Sequence, residues 1–434
     1  MASFFIPLTG LEADSTALNT IANDISNMNT TAFKAQTTNF SDLFYQEIGS
    51  TGAGDPIQVG AGVKVASNET TFTQGTINTT DNATDVALNG NGFFVISNGA
   101  GGYELTRDGN FTQAANGNLL SNGMGVMGYP AVNGVVNTNS PLTAINIPVG
   151  AVEQSKATTT MSMTANLDST TAAGTTFPGQ VTVYDSLGES HVATVTYTPQ
   201  GNNTWSYSVA LPAADYSVAG GNVVPAAITG TMQFDSSGNL TTITPTGGAA
   251  ETVGTAAGDI SSLALNFNPA ATNVLADGAA GLNIQWNLLG ASGTPSITQV
   301  DTASAVSATA QDGYTSGQYQ SFAIGSDGTV TITYSNGQKE NVAQLALGNV
   351  ANLQGLELLG DGSYATTLAS GPVSFGTSGT SGLGTLQDGA LEASNVNISS
   401  EFSDLIIAQR AFEANAKSVT TFDTVTQDTI NMVH

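Results

Sequence analysis

Both ends of this chain carry apolar residues at coiled-coil spacing, and the long interior between them does not. At the amino terminus the pattern runs through Phe4, Leu8, Leu11, Ser15, Leu18, Ala22 and Ile25. Steps of four and three keep one narrow stripe on one side of a helix, the seam along which helices supercoil. Pro7 suits a first helical turn, and Thr9 with Glu12 has the spacing of a capping box. Asn27, Asn29, Thr30 and Thr31 then offer side chains that compete with the helical ladder, so the helix is expected to stop near residue 30. At the carboxyl end Leu391, Ile398, Leu405, Phe412 and Val419 recur every seven residues, with Phe402 and Ala416 between them. Ser399 or Ser400 is the expected N-cap, and Glu401 and Asp404 meet the positive end of the helix dipole. A helix from 400 to 432 would be roughly 50 Å long.

The interior reads as strand. Short alternating runs such as "GFFVIS", "HVATVTYT" and "TVTITYS" are separated by seven Asn-Gly and six Asp-Gly dipeptides. Those dipeptides adopt the positive φ angles of tight hairpins, so antiparallel sheets are expected. Residues 150–310 are rich in Ala, Thr and Gly, and carry ten acidic residues against one basic one. This interval reads as an inserted β domain. The expected fold is therefore mainly β and multi-domain, with N- and C-terminal helices pairing as a coiled coil and later domains nested in earlier ones. The expected division is 1–35 with 392–434 as a terminal helical domain, 36–75 with 372–391 as a linker region, 76–149 with 309–371 as a β domain, and 150–308 as the insert. Gly49, Gly52, Gly54, Gly60 and Gly62 mark the expected hinge.

Composition narrows the partners. Seven basic residues against thirty-three acidic ones give a net charge of -26, which repels nucleic acid phosphates and anionic lipid. No nucleic acid binding and no membrane insertion are expected, since no segment approaches the roughly 18 consecutive apolar residues of a spanning helix. Cysteine is absent, which excludes disulfides and thiolate chemistry. The opening "MASFFIPLTGLEAD" lacks the basic region and apolar length of a cleavable signal peptide. A chain of this composition that leaves the cell is expected to use a route that keeps its first residues.

Chemistry is hard to find. Two histidines, His191 and the terminal His434, are too few for a His-rich metal site, and His191 in "HVATVTY" reads as a strand-edge or surface residue sooner than a catalytic one. The Asp-Gly segments "RDGNF", "SDGTV" and "GDGSY" do not continue as calcium loops and read as turns. Gly123, Gly125 and Gly128 match G-x-G-x-x-G by spacing, but Pro130 and "AVNGVVN" do not open the helix that a dinucleotide site needs. Nothing singles out a carboxylate pair for glycoside hydrolysis. No enzyme activity, cofactor or metal is expected.

The seams carry more weight. Ordering a residue costs about 1–2 kcal/mol, and a fully buried Leu or Phe returns roughly 1.5–3. With one seam residue in three or four, a single helix pair barely breaks even, so both ends are expected to become helical when copies of the chain pack side by side. The residues expected to form that polymerisation seam are Leu8, Leu11, Leu18, Ile25, Ile398, Phe402, Leu405, Phe412 and Val419.

The opening "TGLEADSTALNTIANDISNMNTTAFKAQTTNFSDLF" and the closing "SNVNISSEFSDLIIAQRAFEANAKSVTTFDTVTQDTINM" resemble the terminal segments of the flagellar rod and hook family of axial proteins. Asn27, Asn29, Thr30, Phe33 and Lys34 fall in that family's signature region, with Ala32 where a glycine is usual. "GAGVKV", "ALNGNGFFVIS", "TRDGNF" and "GYPA" extend the likeness, and "VYDSLGESHVATVTY" and "YSNGQ" resemble the hook type within the family. The resemblance implies a structural subunit that polymerises outside the cell into a curved hollow tube, a flexible coupling that passes motor torque to the filament. It further implies a helical homo-polymer exported by the flagellar type III apparatus, with rod, hook cap and hook–filament junction proteins as partners. A straight distal rod protein is the alternative within the family, and a β-rich surface adhesin the alternative outside it.

Overall fold

The computed structural model describes residues 5–50, 56–99, 101–218, 223–267 and 275–432; Phe4, Gly52, Gly54 and His434 lie outside the described residues. Helix α1 runs Phe5–Ser26 and helix α2 runs Ile398–Met432. Asn27 ends α1 through its side chain, whose Nδ2 donates to the Asn23 carbonyl at 2.9 Å. The start of α2 differs from expectation. Its cap is Asn397, whose Oδ1 accepts from the Ser399 and Ser400 amides at 3.0 and 3.4 Å, so both serines lie inside the first turn. Nor does Thr9 cap α1: its hydroxyl lies within the helix and donates to the Ile6 carbonyl at 2.8 Å.

Two compact units emerge from the chain. The first comprises 1–149, 320–333 and 339–434, and the second 150–319 and 334–338. In the first unit α1 rests on an antiparallel pair, Gln36–Asp42 with Val63–Thr70. The Gln36 amide donates to the Asp24 carboxylate at 2.8 Å, and Thr38 bonds Thr20 at 3.1 Å. This sheet gives α1 a second surface besides α2. Both ends are therefore helical in a single chain, where packing among copies was expected to be needed.

The segment read as a hinge contains strands. Tyr45–Ser50 pairs with Pro56–Gly60, Gly49 sits at a register shift in that pair, and Gly60 lies opposite Tyr45. Gly62 has φ +112°, and a Cβ there would strike the Thr9 side chain of α1. Its glycine serves a close approach between backbone and helix.

The returning chain then pairs with the outgoing one. Ile77–Thr79 pairs with Ala390–Glu392, Val86–Asn89 with Thr385–Asp388, and Phe93–Ser97 with Leu347–Asn349. Phe93 through Ile96 are all buried, where alternation was expected, because this strand has packing on both faces. Phe72, Phe93 and Tyr364 cluster with ring centroids 5.6–5.8 Å apart. Asn122-Gly123, Asn133-Gly134 and Asp361-Gly362 make two-residue turns with both φ angles positive, the geometry such dipeptides favour. The G-x-G-x-x-G segment forms the strands Met124–Gly125 and Met127–Val132.

The second unit folds as two sheets over one core. Thr160–Asp168 pairs in parallel with Asn283–Asn287 and Ile297–Val300, and antiparallel with Ala305–Gln311. The other sheet is an antiparallel run from Phe177–Tyr184 through Ser190–Gly201, Thr204–Ala210 and Ile228–Phe234 to Leu240–Pro245. Both tryptophans are buried between them, and Tyr207 meets Trp286 edge-on at 5.9 Å.

His191 lies inside this unit, against the expectation of an edge or surface position. It is 4% exposed, its Nδ1 lies 2.8 Å from Asp215 Oδ2, and its Nε2 lies 3.2 Å from Asp185 Oδ2. Asp185 itself accepts from the Leu187 and Glu189 amides, and Asp277 faces it. Burial opposes the charged ring, but the two carboxylates outweigh it and hold the His191 pKa above its ordinary value. Burial, followed by Asp185, pushes the Asp277 carboxyl upward. Against burial, the hydrogen bonds from Asp277 and His191 hold the Asp185 carboxyl below its ordinary value, so the dependence above pH 6 is assigned to His191. The stability that histidine contributes is complete below its unfolded pKa, near 6.5, and is lost as pH rises through the folded value. Denaturation of the second unit is expected to occur progressively more easily as pH is raised from 6 toward 9. His191→Gln should flatten that dependence at a cost of roughly 1.5–3 kcal/mol. The imidazole resonance, followed by NMR, should titrate above the free value.

Candidate functional site

The two ends of the chain meet twice within the first unit, once at a buried polar knot and once between the helices. The knot centres on Glu392, in the strand that precedes α2. Its Oε1 accepts from Lys34 Nζ at 2.6 Å and from the Gly75 amide at 2.9 Å, and its Oε2 accepts from Arg107 at 3.3 Å. All three charged side chains are buried. Lys34 also donates to the Thr73 carbonyl, and Arg107 to the carbonyls of Leu88 and Gly90. Burial pushes the Lys34 pKa down, and Glu392 pulls it part of the way back. Buried charges need such pairing, because each would otherwise bear an unrecovered desolvation cost; among the described residues of this knot, Arg107 Nε alone is buried without a partner.

The signature residues build one side of this knot. Ala32 takes φ +56°, a left-handed conformation that disfavours a Cβ by about 1–2 kcal/mol. Its amide is held on the Glu392 carbonyl at 2.8 Å. Thr30 bonds the Asn27 side chain at 3.1 Å and accepts the Phe33 amide, while Asn29 is exposed. The Phe33 carbonyl accepts from the Asn395 amide, and Asn395 reaches Ala35, Thr71 and Thr73 with its side chain. The turn after α1 is thus fastened to the residues just before α2. Glu392, Asn395 and Arg107 were not singled out from the sequence. One signal was available: with only seven basic residues in the chain, a lysine between Phe33 and Ala35 stands out.

The helices meet through small residues. On α1 the buried positions are Pro7, Gly10, Ala13, Thr20 and Asp24, and on α2 the buried position is Ala408. A Cβ on Gly10 would lie 2.6 Å from Asn415 Nδ2, and Asn415 donates to Asp14 at 2.8 Å. The large seam residues are less deeply buried. Leu11, Leu18, Ile25, Leu405 and Val419 are half-buried, while Leu8, Ile398, Phe402 and Phe412 are exposed by 38–50%. Close approach of two backbones selects Gly and Ala at the most buried positions, Gly10, Ala13 and Ala408, and leaves the bulkier residues at the margins of the contact. Among the described residues no group of His, Asp or Glu could hold a metal ion, and no helix is long and apolar enough to cross a membrane.

Replacing Glu392 by Gln should leave two buried cations without a counter-charge and lower stability by about 3–5 kcal/mol, measured by denaturant titration. Lys34→Met should cost less, because Arg107 still neutralises Glu392. Gly10→Leu should force the helices apart, seen as lost amide-exchange protection along α1 with protection in the second unit unchanged.

Comparison with known proteins finds relatives along the whole length of the chain. Residues 154–314 match the flagellar basal body protein FlaE D2 domain, 87–164 the flagellar hook protein FlgE/F/G D1 domain, and 387–432 the flagellar basal body rod FlgEFG protein C-terminal region. The chain is 34% identical to flagellar hook protein FlgE of Treponema pallidum, over 100% of this chain and 99% of that one. It is also 34% identical to flagellar hook protein FlgE of Escherichia coli, over 99% and 100%. The crystal structure of Helicobacter pylori flagellar hook protein FlgE2 superposes with a TM-score of 0.52 at 13% identity, covering 73% of this chain and 100% of that one; this likeness concerns the fold alone. With full-length relatives above 30% identity and paired terminal helices around a β-rich interior, the chain belongs to the flagellar hook protein family.

Proposed function

We propose that the chain is the structural subunit of a flagellar hook, assembling outside the cell into a curved hollow tube that couples motor rotation to the filament. The observation that carries this reading is the apolar surface left uncovered on a single chain. Phe5, Leu8, Ile398, Phe402, Ile406, Ile407 and Phe412 are exposed along the helices, and Phe44, Tyr45, Ile48, Ile57 and Val59 along the neighbouring hairpin. So many large apolar side chains left exposed on a few elements mark a site of association. The seam residues that stay exposed, Leu8, Ile398, Phe402 and Phe412, and the uncovered parts of the half-buried ones, are therefore assigned to contacts between copies. In this reading the terminal helices line the channel, and export proceeds by the type III route. Rod, hook cap and hook–filament junction proteins are the expected neighbours. No enzymatic role is proposed.

The strand pairing between outgoing and returning chain supports a nested order of domains, with 36–75 and 372–391 connecting the helices to the β portion. The hinge role of Gly49, Gly52, Gly54, Gly60 and Gly62 is part of the same proposal; bending there would have to proceed by shifting paired strands. A distal rod subunit of the same family would form straight tubes. Replacing Leu405 or Phe412 by Asp should abolish assembly and leave the second unit folded. Negative-stain microscopy of the wild-type polymer should show curved tubes, and normal tubes from either variant would show that the seam lies elsewhere.

A further inference from the structure

The first unit contains a cleft of about 360 Å³ between α1, α2 and the strand Gln36–Asp42, lined among others by Asp14, Ile21, Glu401, Asp404, Ile407 and Ala408. A cleft of that size admits a long side chain. Its charge is of one sign: none of the residues lining it is basic. Asp24 adds to this field from beneath, because it is fully buried and its Oδ1 has no hydrogen-bond partner. Burial first, then Asp24 and Asp404, raises the Glu401 pKa, and burial raises that of Asp24. Carboxylates crowded this way against an apolar floor lack a cation.

The cations of α2 cannot fill the gap in their own chain. Arg410 and Lys417 are exposed, and Arg410 makes only an exposed pair with Glu413. At about 3.6 residues per turn they lie roughly half a turn around the helix from Ala408, on the side away from the cleft. Lys34 and Arg107 are already committed to Glu392. We infer that the cleft receives the Arg410 and Lys417 side chains of a second copy of this chain. This inference rests on the polymer reading above and names the partner of the same helices. Because donor and acceptor occupy opposite faces, the contact is head-to-tail. Such an interface does not close on itself as a two-fold dimer and propagates into an open helical assembly. It also puts scarce positive charge where a chain of charge -26 most needs it, since copies would otherwise repel.

The test uses full-length chains, followed by sedimentation and negative-stain microscopy. One variant carries Glu401→Lys and Asp404→Lys; the other carries Arg410→Glu and Lys417→Glu. Each alone should need at least tenfold more protein to assemble than wild type, because like charges meet at every contact. An equimolar mixture should recover assembly, since the basic arms of the first variant fit the acidic cleft of the second, and the acidic arms of the second fit the basic cleft of the first. A milder pair, R410Q with K417Q, should weaken assembly and reduce its sensitivity to salt. Wild-type assembly by either reversed variant alone, no gain on mixing, or an unchanged salt response in the milder pair would overturn the cleft assignment. A wild-type chain that stays monomeric throughout would overturn the polymer reading with it.

Discussion

A single buried carboxylate organises the junction between the chain's ends. Glu392 takes two cations, Lys34 from the segment after α1 and Arg107 from the β portion, and receives a backbone amide from Gly75. Four stretches distant in sequence are fixed by one side chain. Neighbouring contacts extend the same logic: Ala32 is held on the Glu392 backbone in a conformation an alanine would not choose, and Asn395 spans from Ala35 to Thr73. Both helices leave from this point. Any force carried along them reaches the β portion through charged hydrogen bonds in a dry environment, where such bonds are strong and directional.

Small and large residues divide the work of the helices. Gly10, Ala13 and Ala408 permit close approach within the chain, while Phe402, Ile406 and Phe412 remain outside. A helix pair built on its largest residues would spend its apolar surface internally and leave little for neighbours. Here the intramolecular contact includes a polar bond between Asn415 and Asp14, and the large apolar residues Phe402, Ile406 and Phe412 stay available.

Much of the architecture was legible in the sequence, because helix and strand write different periods. The terminal helices and the Asn-Gly turns at 122–123 and 133–134 follow directly from local pattern. What eluded it was whatever depends on residues far apart. The stripe of Leu8, Leu11 and Leu18 marks a helix but does not say which face meets α2, since hydrophobicity ranks large residues above the glycine that decides the approach. The ion cluster joins positions 34, 107 and 392, and no local window contains it. His191 was nearer to hand: its parity with Ala193, Val195 and Tyr197 in one strand places it on the buried side. Its partner Asp215, however, comes from a turn beyond the next strand. Asn397 displaced the serines as cap because its side-chain oxygen, two residues before Ser399, reaches both free amides.

The span of the Lys34–Glu392 bond, 358 residues, also governs timing. Neither partner can find the other until almost the whole polypeptide has been synthesised, and closing so long a loop must wait on the pairing of the strands inside it. A nascent chain therefore keeps its two extremities apart, and the junction sets only late in folding. The meeting of the two helices is thus tied to the completion of everything the chain encloses between them.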